Sequence, residues 1–182
     1  TIEVPQDARI YSLKELTDRG DAREIINSVS PVCLELANEI LREAEAEFGD
    51  IDRSILFPIA DHLDFAIRRL QRGEQISNPL TDDIRVMFYK EYKVASCIRE
   101  LLKERLQIEI DEHEIGYIAL HVHSAIVEEN VSQAMEVARA VRESIALVEN
   151  ITGHKIDIMS LSYNRLMNHI RYMVARAVSG EK

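Results

Sequence analysis

The stretch Ile59-Ala-Asp-His62-Leu-Asp-Phe65-Ala-Ile-Arg-Arg69-Leu-Gln-Arg-Gly73-Glu74 decides how this chain is read. It returns 107 positions later as Leu166-Met-Asn-His169-Ile-Arg-Tyr172-Met-Val-Ala-Arg176-Ala-Val-Ser-Gly180-Glu181. In both copies the histidine is followed by an aromatic three residues on and an arginine seven on. At 3.6 residues per turn these offsets place all three side chains on one helical face. Gly73 and Gly180 fall at matching positions and suit helix C-termini. Two related modules are therefore predicted, each presenting a titratable imidazole.

Working outward, the spacing of apolar residues predicts an all-α chain of six helices. With four prolines and six glycines in 182 residues, few breaks are available. The first helix is expected over about 31–48, with Pro31 at its first position and Leu34, Ala37, Ile40, Leu41 and Ala44 as its apolar stripe. The second covers about 52–72 and carries His62, with Pro58 bending it or marking its true start. Thr81 is a candidate N-cap for a third, running to about 106. Asp111-Glu-His-Glu114 has capping-box spacing, so the residues to Ala125, including His121 and His123, are read as a fourth helix although their partial alternation also allows a strand. Helices over about 131–151 and 158–179 complete the set, with Gly153 a stop between them. Residues 1–20, with Pro5 among Ile2, Val4, Ile10, Tyr11 and Leu13, read as an extended linker.

Composition narrows the function. Hydrophobic residues at 46% suffice for a packed core. No apolar run reaches the roughly 18 to 20 residues needed to span a bilayer, and Thr1-Ile-Glu-Val-Pro-Gln-Asp lacks a signal-peptide pattern. Cys33 and Cys97 lie in apolar helical patterns, which favours reduced thiols and a cytoplasmic setting. The net charge of −10 opposes direct nucleic-acid binding, which needs clustered Lys and Arg. Residues 158–182 nevertheless carry a net +3, leaving −13 on residues 1–157.

The candidate chemistry lies in the histidines. Asp61 and Asp64 flank His62, and Asp111, Glu112 and Glu114 open the helix of His121; such carboxylates favour the imidazolium and orient one ring nitrogen. Imidazole, partly neutral near pH 7, attacks phosphorus without a separate base, and the added negative charge can rearrange an interface. A lone histidine of this kind most simply reads as a satisfied core residue; the repeated face argues for more. On a helix His121 and His123 lie about 200° apart and cannot share one ion. With no His-Glu-x-x-His pattern, nucleophile elbow or phosphate-cradling glycine loop, neither a metal nor another cofactor is expected. His113 and His154 read as structurally incidental.

Asp61-His62-Leu-Asp-Phe65-Ala-Ile-Arg-Arg69, Asp111-Glu-His-Glu114-Ile-Gly116-Tyr-Ile-Ala-Leu-His121 and Asn168-His169-Ile-Arg-Tyr172 together resemble the phosphotransferase-system (PTS) regulation domains, PRDs, of BglG/LicT-type transcriptional antiterminators. The resemblance covers about 8–182, and Ala8-Arg-Ile-Tyr11-Ser-Leu is similar to the end of the small RNA-binding domain preceding such modules. It implies a linker or RNA-binding-domain end over 1–20, a five-helix module over 21–128, and the N-terminal half of a second module over 129–182. It further implies a sugar-responsive, non-enzymatic, homodimeric switch, with RNA bound only through a domain outside this chain. By the same resemblance, His62 and His121 accept phosphate from a sugar-specific enzyme II, and His169 from the phosphocarrier HPr. Arg69 and Arg176 are supporting residues beside Asp61 and Asp64. Two alternatives remain: a metal-dependent all-helical hydrolase, although Asp61-His62 reverses the order that class uses, and an unmodified helical scaffold for partners.

Overall fold

The computed structural model describes residues 29–127 and 129–179, and every regular element among them is helical. The expected extended segment over 1–20 and the Gly180 stop lie outside the described residues.

Helix α1 (Pro31–Phe48) starts on Pro31, whose missing N–H costs nothing there, and buries Cys33, Leu36, Ala37, Ile40, Leu41 and Ala44. Leu34, expected inward, is only partly buried because the stripe is centred on Leu36 and Ile40. Gly49 ends the helix at φ 86°, donating its N–H to Glu45 O. A 3-10 turn (Arg53–Ile55), capped by Asp52 onto the Ser54 N–H, leads into α2 (Leu56–Gln71). Pro58 thus sits in the first helical turn, where its missing N–H is tolerated. Ile59, Ala60, Leu63, Ala66 and Ile67 point into the core, and Gly73 follows at φ 72° in the left-handed region.

The single helix expected over 81–106 is three: α3 (Thr81–Met87), α4 (Tyr89–Ala95) and α5 (Ile98–Leu106). The first break is Phe88, which leaves helical geometry at φ −117°, ψ 47° while its ring is buried against His123. The second is at Ser96-Cys97, where the Ser96 hydroxyl donates to Tyr92 O and Cys97 N–H tightens onto Val94 O. No glycine or proline lies in 81–106 to signal either break. Thr81 is not an N-cap. It is the first helical residue, and its hydroxyl donates back to Asn78 O while Asn78 Oδ1 accepts from Leu80 N–H.

Helix α6 (Glu112–Ser124) is buried on nearly all sides, packed against α2, α3, α4 and α7. Asp111 caps it by accepting from Glu114 N–H at 3.0 Å, but the reciprocal half of the capping box is missing because the Glu114 carboxylate turns inward. Helix α7 (Val131–Thr152) has a complete capping box between Asn130 and Gln133 and stops at Gly153, φ 69°. Helix α8 (Leu161–Ser179) begins later than expected. Asp157 and Ser160 form a turn ahead of it, and Ser160 Oγ accepts from Tyr163 N–H.

Helices α7 and α8 share one continuous core with the preceding helices. Tyr163 Oη donates to Asp83 Oδ1 at 2.5 Å in the interior, and Arg171 lies over the Phe88 ring while donating to Met87 O. The basic C-terminal stretch therefore docks on α3 and α4 of the acidic body.

Candidate functional site

Two helical faces with the same spacing meet. On α2, His62 and Arg69 lie two turns apart on one side; on α6, Glu114, Tyr117 and His121 repeat the offsets of three and seven. Where the faces cross, Glu114 Oε1 accepts from Arg69 Nη2 at 2.6 Å and Oε2 lies 3.0 Å from His62 Nε2. The second contact is an ion-pair distance without hydrogen-bond alignment. The His62 ring packs 5.8 Å from Tyr117 and 5.7 Å from His121 between centroids.

Charge in this cluster is set by burial and by the contacts Glu114 makes with Arg69 and His62. The Glu114 side chain is 1% exposed. Burial pushes its pKa up, but contact with His62 and Arg69 outweighs burial and holds the carboxyl below its ordinary range. His121 is lowered as well, but by other causes: burial first, then the nearby charge of His62, brings it to about 4. It is therefore neutral near pH 7, with a lone pair available. The expectation that carboxylates of its own helix favour the His121 imidazolium fails, because Glu114 is committed to α2 and His121 lies two turns further along α6. His121 also lines an open cleft of about 1070 Å³, walled by Pro58, Asp52, Ile126, Asn130 and Gln133. The first turn of α7 forms one side of this approach.

The sequence-predicted residues divide on inspection. His62, Arg69 and His121 are brought together. Asp64 instead pairs with Arg68 at 2.8 Å and lies against the Cys33 thiol, and half-buried Asp61 takes no part in the Glu114 contacts. Glu114, from another helix, is the carboxylate that faces His62. His169 and Arg176 are exposed on α8, outside the cluster. Phe65 and Tyr172, the repeated aromatics, are 57% and 74% exposed, so that part of the shared face is turned to solvent.

A second arrangement was not visible in the sequence. Buried His123 places Nδ1 2.9 Å from Glu91 and Nε2 3.0 Å from Glu129, with its ring 4.5 Å from Phe88. Carboxylates only accept, so both contacts are satisfied when the ring carries two protons. Glu91 is held below its ordinary range because hydrogen bonding to His123 overcomes the upward push of burial. His113 is likewise structural: Asn78 N–H donates to its Nδ1 at 3.3 Å and the Thr81 hydroxyl lies 2.8 Å away. Both thiols are raised by burial, Cys33 to about 11 and Cys97 to about 12, and neither is in a disulfide.

A family model described as the PRD domain matches residues 34–125, the segment that carries His62, Glu114 and His121. Among curated proteins, the chain is 26% identical over 176 residues to the GlcA/glcB genes antiterminator of Staphylococcus carnosus, covering 95% of this chain and 61% of that protein. It is 26% identical over 179 residues to the transcription antiterminator LicT of Bacillus subtilis, covering 96% and 64%. The chain thus spans under two thirds of the length of these relatives. A solved structure, the crystal structure of GlcT CAT-PRDI, superposes with a TM-score of 0.54 at 26% identity, covering 58% of this chain and 63% of that one.

Proposed function

This chain belongs to the PRD family, and from that premise we propose that it is the regulatory region of a sugar-responsive transcriptional antiterminator, switched by phosphoryl groups that PTS proteins place on His62, His121 and His169. The observation that carries this reading is the Glu114 cluster, in which two imidazoles from different helices lie 5.7 Å apart, one against a buried carboxylate and the other neutral. Titratable groups from different elements held together in contrasting surroundings are what reversible transfer chemistry uses.

The chain serves as one module over 21–128 and the first half of another over 129–182. Enzyme II acts on His62 and His121, and HPr on His169. RNA is bound by a segment outside this chain, in keeping with the net charge of −10. A phosphoryl group at His62 adds about −1.5 to −2 charges beside the Glu114 carboxylate. Arg69, already 2.6 Å from Glu114, is the cation at hand to pair with it, since guanidinium matches phosphate oxygens in paired hydrogen bonds. Moving Arg69 from Glu114 to phosphate would loosen the contact between α2 and α6 and so change how two copies pack in a homodimer. Leu147 and Ile151 on α7, Met159 in the turn after it, and Tyr172 and Met173 on α8 are exposed apolar side chains that suit such packing.

The test is to incubate the chain with purified PTS phosphocarriers and map phosphohistidine by mass spectrometry under alkaline conditions. Label is expected on His62, His121 and His169. Its absence from all three would overturn the assignment.

A further inference from the structure

His62 has two ring nitrogens, and its surroundings treat them differently. Nε2 is buried and faces Glu114 Oε2 at 3.0 Å, while the side chain as a whole is 18% exposed. The carboxylate is anchored by the 2.6 Å bond from Arg69 and has no proton to give. A lone pair on Nε2 would point at an anion, which is repulsive; a proton there is attractive. No space is left between Nε2 and the carboxylate for a tetrahedral group, and a phosphoryl oxygen placed there would meet like charge.

We propose that Glu114 holds His62 as its Nε2–H tautomer and thereby makes Nδ1 the nitrogen that accepts the phosphoryl group, with Glu114 acting as a positioning residue. This deepens the phosphorylation reading above and rests on it for its biological donor. The Nδ1 lone pair forms the new N–P bond as the donor's own bond to phosphorus breaks, and that bond's electron pair stays on the donor atom. The Nε2 proton is not transferred. The ring therefore gains positive charge as the phosphoryl group arrives, and Glu114 compensates it, as the buried aspartate of a Ser-His-Asp triad does for its imidazolium. His121, being neutral, adds no opposing charge.

Two measurements on the whole chain test this. Two-bond ¹⁵N–¹H correlation spectra, recorded near pH 8 where an ordinary imidazole is neutral, report the His62 tautomer. Nε2–H is expected, and Nδ1–H would overturn the proposal. Phosphorylation by phosphoramidate, and separately by PTS carriers, is then read as the phosphohistidine isomer at His62. The Nδ1 isomer is expected; the Nε2 isomer in the unmodified chain would overturn the proposal. In Glu114→Gln the amide can bond Arg69 through its oxygen and offer an N–H to His62, so the tautomer should reverse and the Nδ1 rate fall at least about tenfold. Glu114→Asp, which restores a carboxylate, should return the Nε2–H form. A folded Glu114→Gln with unchanged tautomer and isomer would count against it. If carriers leave His62 unlabelled while phosphoramidate gives the Nδ1 isomer, the PTS reading fails and this one stands. Carrier labelling at Nε2 reverses that outcome.

Discussion

His121 is kept neutral by its burial and by His62 across from it, and that has a cost in acid. Its pKa is about 4 in the fold against an ordinary 6.5. Above pH 6.5 both folded and unfolded chains leave it uncharged. As pH falls, the unfolded chain takes up a proton that the folded chain refuses until about 4, so stability declines across that window and this group's contribution then levels off. Glu114, whose pKa is also lowered, acts in the same direction on acidification but loses its contribution only below the ordinary 4.5. Thermal denaturation from pH 7 to 4.5 should therefore show His121→Asn losing less stability than the unmodified chain. Parallel curves would show that His121 is not the titrating group. At this scale the sequence already displayed His62, Arg69 and His121. Glu114 was read as the closing residue of a capping box, whose N–H does bond Asp111, and as a carboxylate beside His121; that its carboxylate meets His62 was not foreseen. The signal that could have found it is the offset of Glu114, Tyr117 and His121, which repeats that of His62, Phe65 and Arg69.

Among elements, α1, α2, α6 and α7 follow from local chemistry: Pro31, the Asp111 cap, the Asn130–Gln133 box, and glycines 49, 73 and 153 at positive φ mark their ends. The breaks that separate α3, α4 and α5 do not. Phe88 leaves the helix because its ring fills the core beside His123 and under Arg171, a contact made by residues 35 and 83 positions away. Helix propensity amounts to tenths of a kcal/mol per residue, whereas a buried aromatic contributes several. Phe88→Ala should accordingly cost about 3 to 5 kcal/mol in denaturant unfolding. A loss below about 1 kcal/mol would show that the ring does not anchor the break.

Across the whole molecule, α7 and α8 are fastened to the first helices by polar as well as apolar contacts. Asp83 is buried, and burial pushes its pKa up; the Tyr163 hydroxyl and Arg142 supply its partners. Removing that hydroxyl leaves a buried carboxylate short of a donor. Tyr163→Phe is therefore expected to destabilise by about 1 to 3 kcal/mol and to raise hydrogen exchange in α8 more than in α1 or α2. Uniform exchange across all three helices would mean that the bridge does not govern α8 docking. The Asp83–Tyr163 pair spans 80 positions and had no counterpart in the sequence reading. Among the arginines that make the stretch after residue 157 basic, Arg171 joins the docking through Met87 O and the Phe88 ring, a role the charge count alone did not favour over ordinary solvated faces.

The sequence by itself determined the all-helical class, most helix ends and the histidine, aromatic and arginine face, because these depend on periodicity and on single residues with fixed backbone demands. Tertiary structure decided which carboxylate meets His62, why His121 is neutral, and where the 81–106 segment breaks. Each of these depends on the low-polarity surroundings and close approach of side chains distant in the chain, and a repeat of 107 positions shows only that two faces are alike, not what each is turned towards. His62 is turned towards Glu114 and the core, His169 towards solvent.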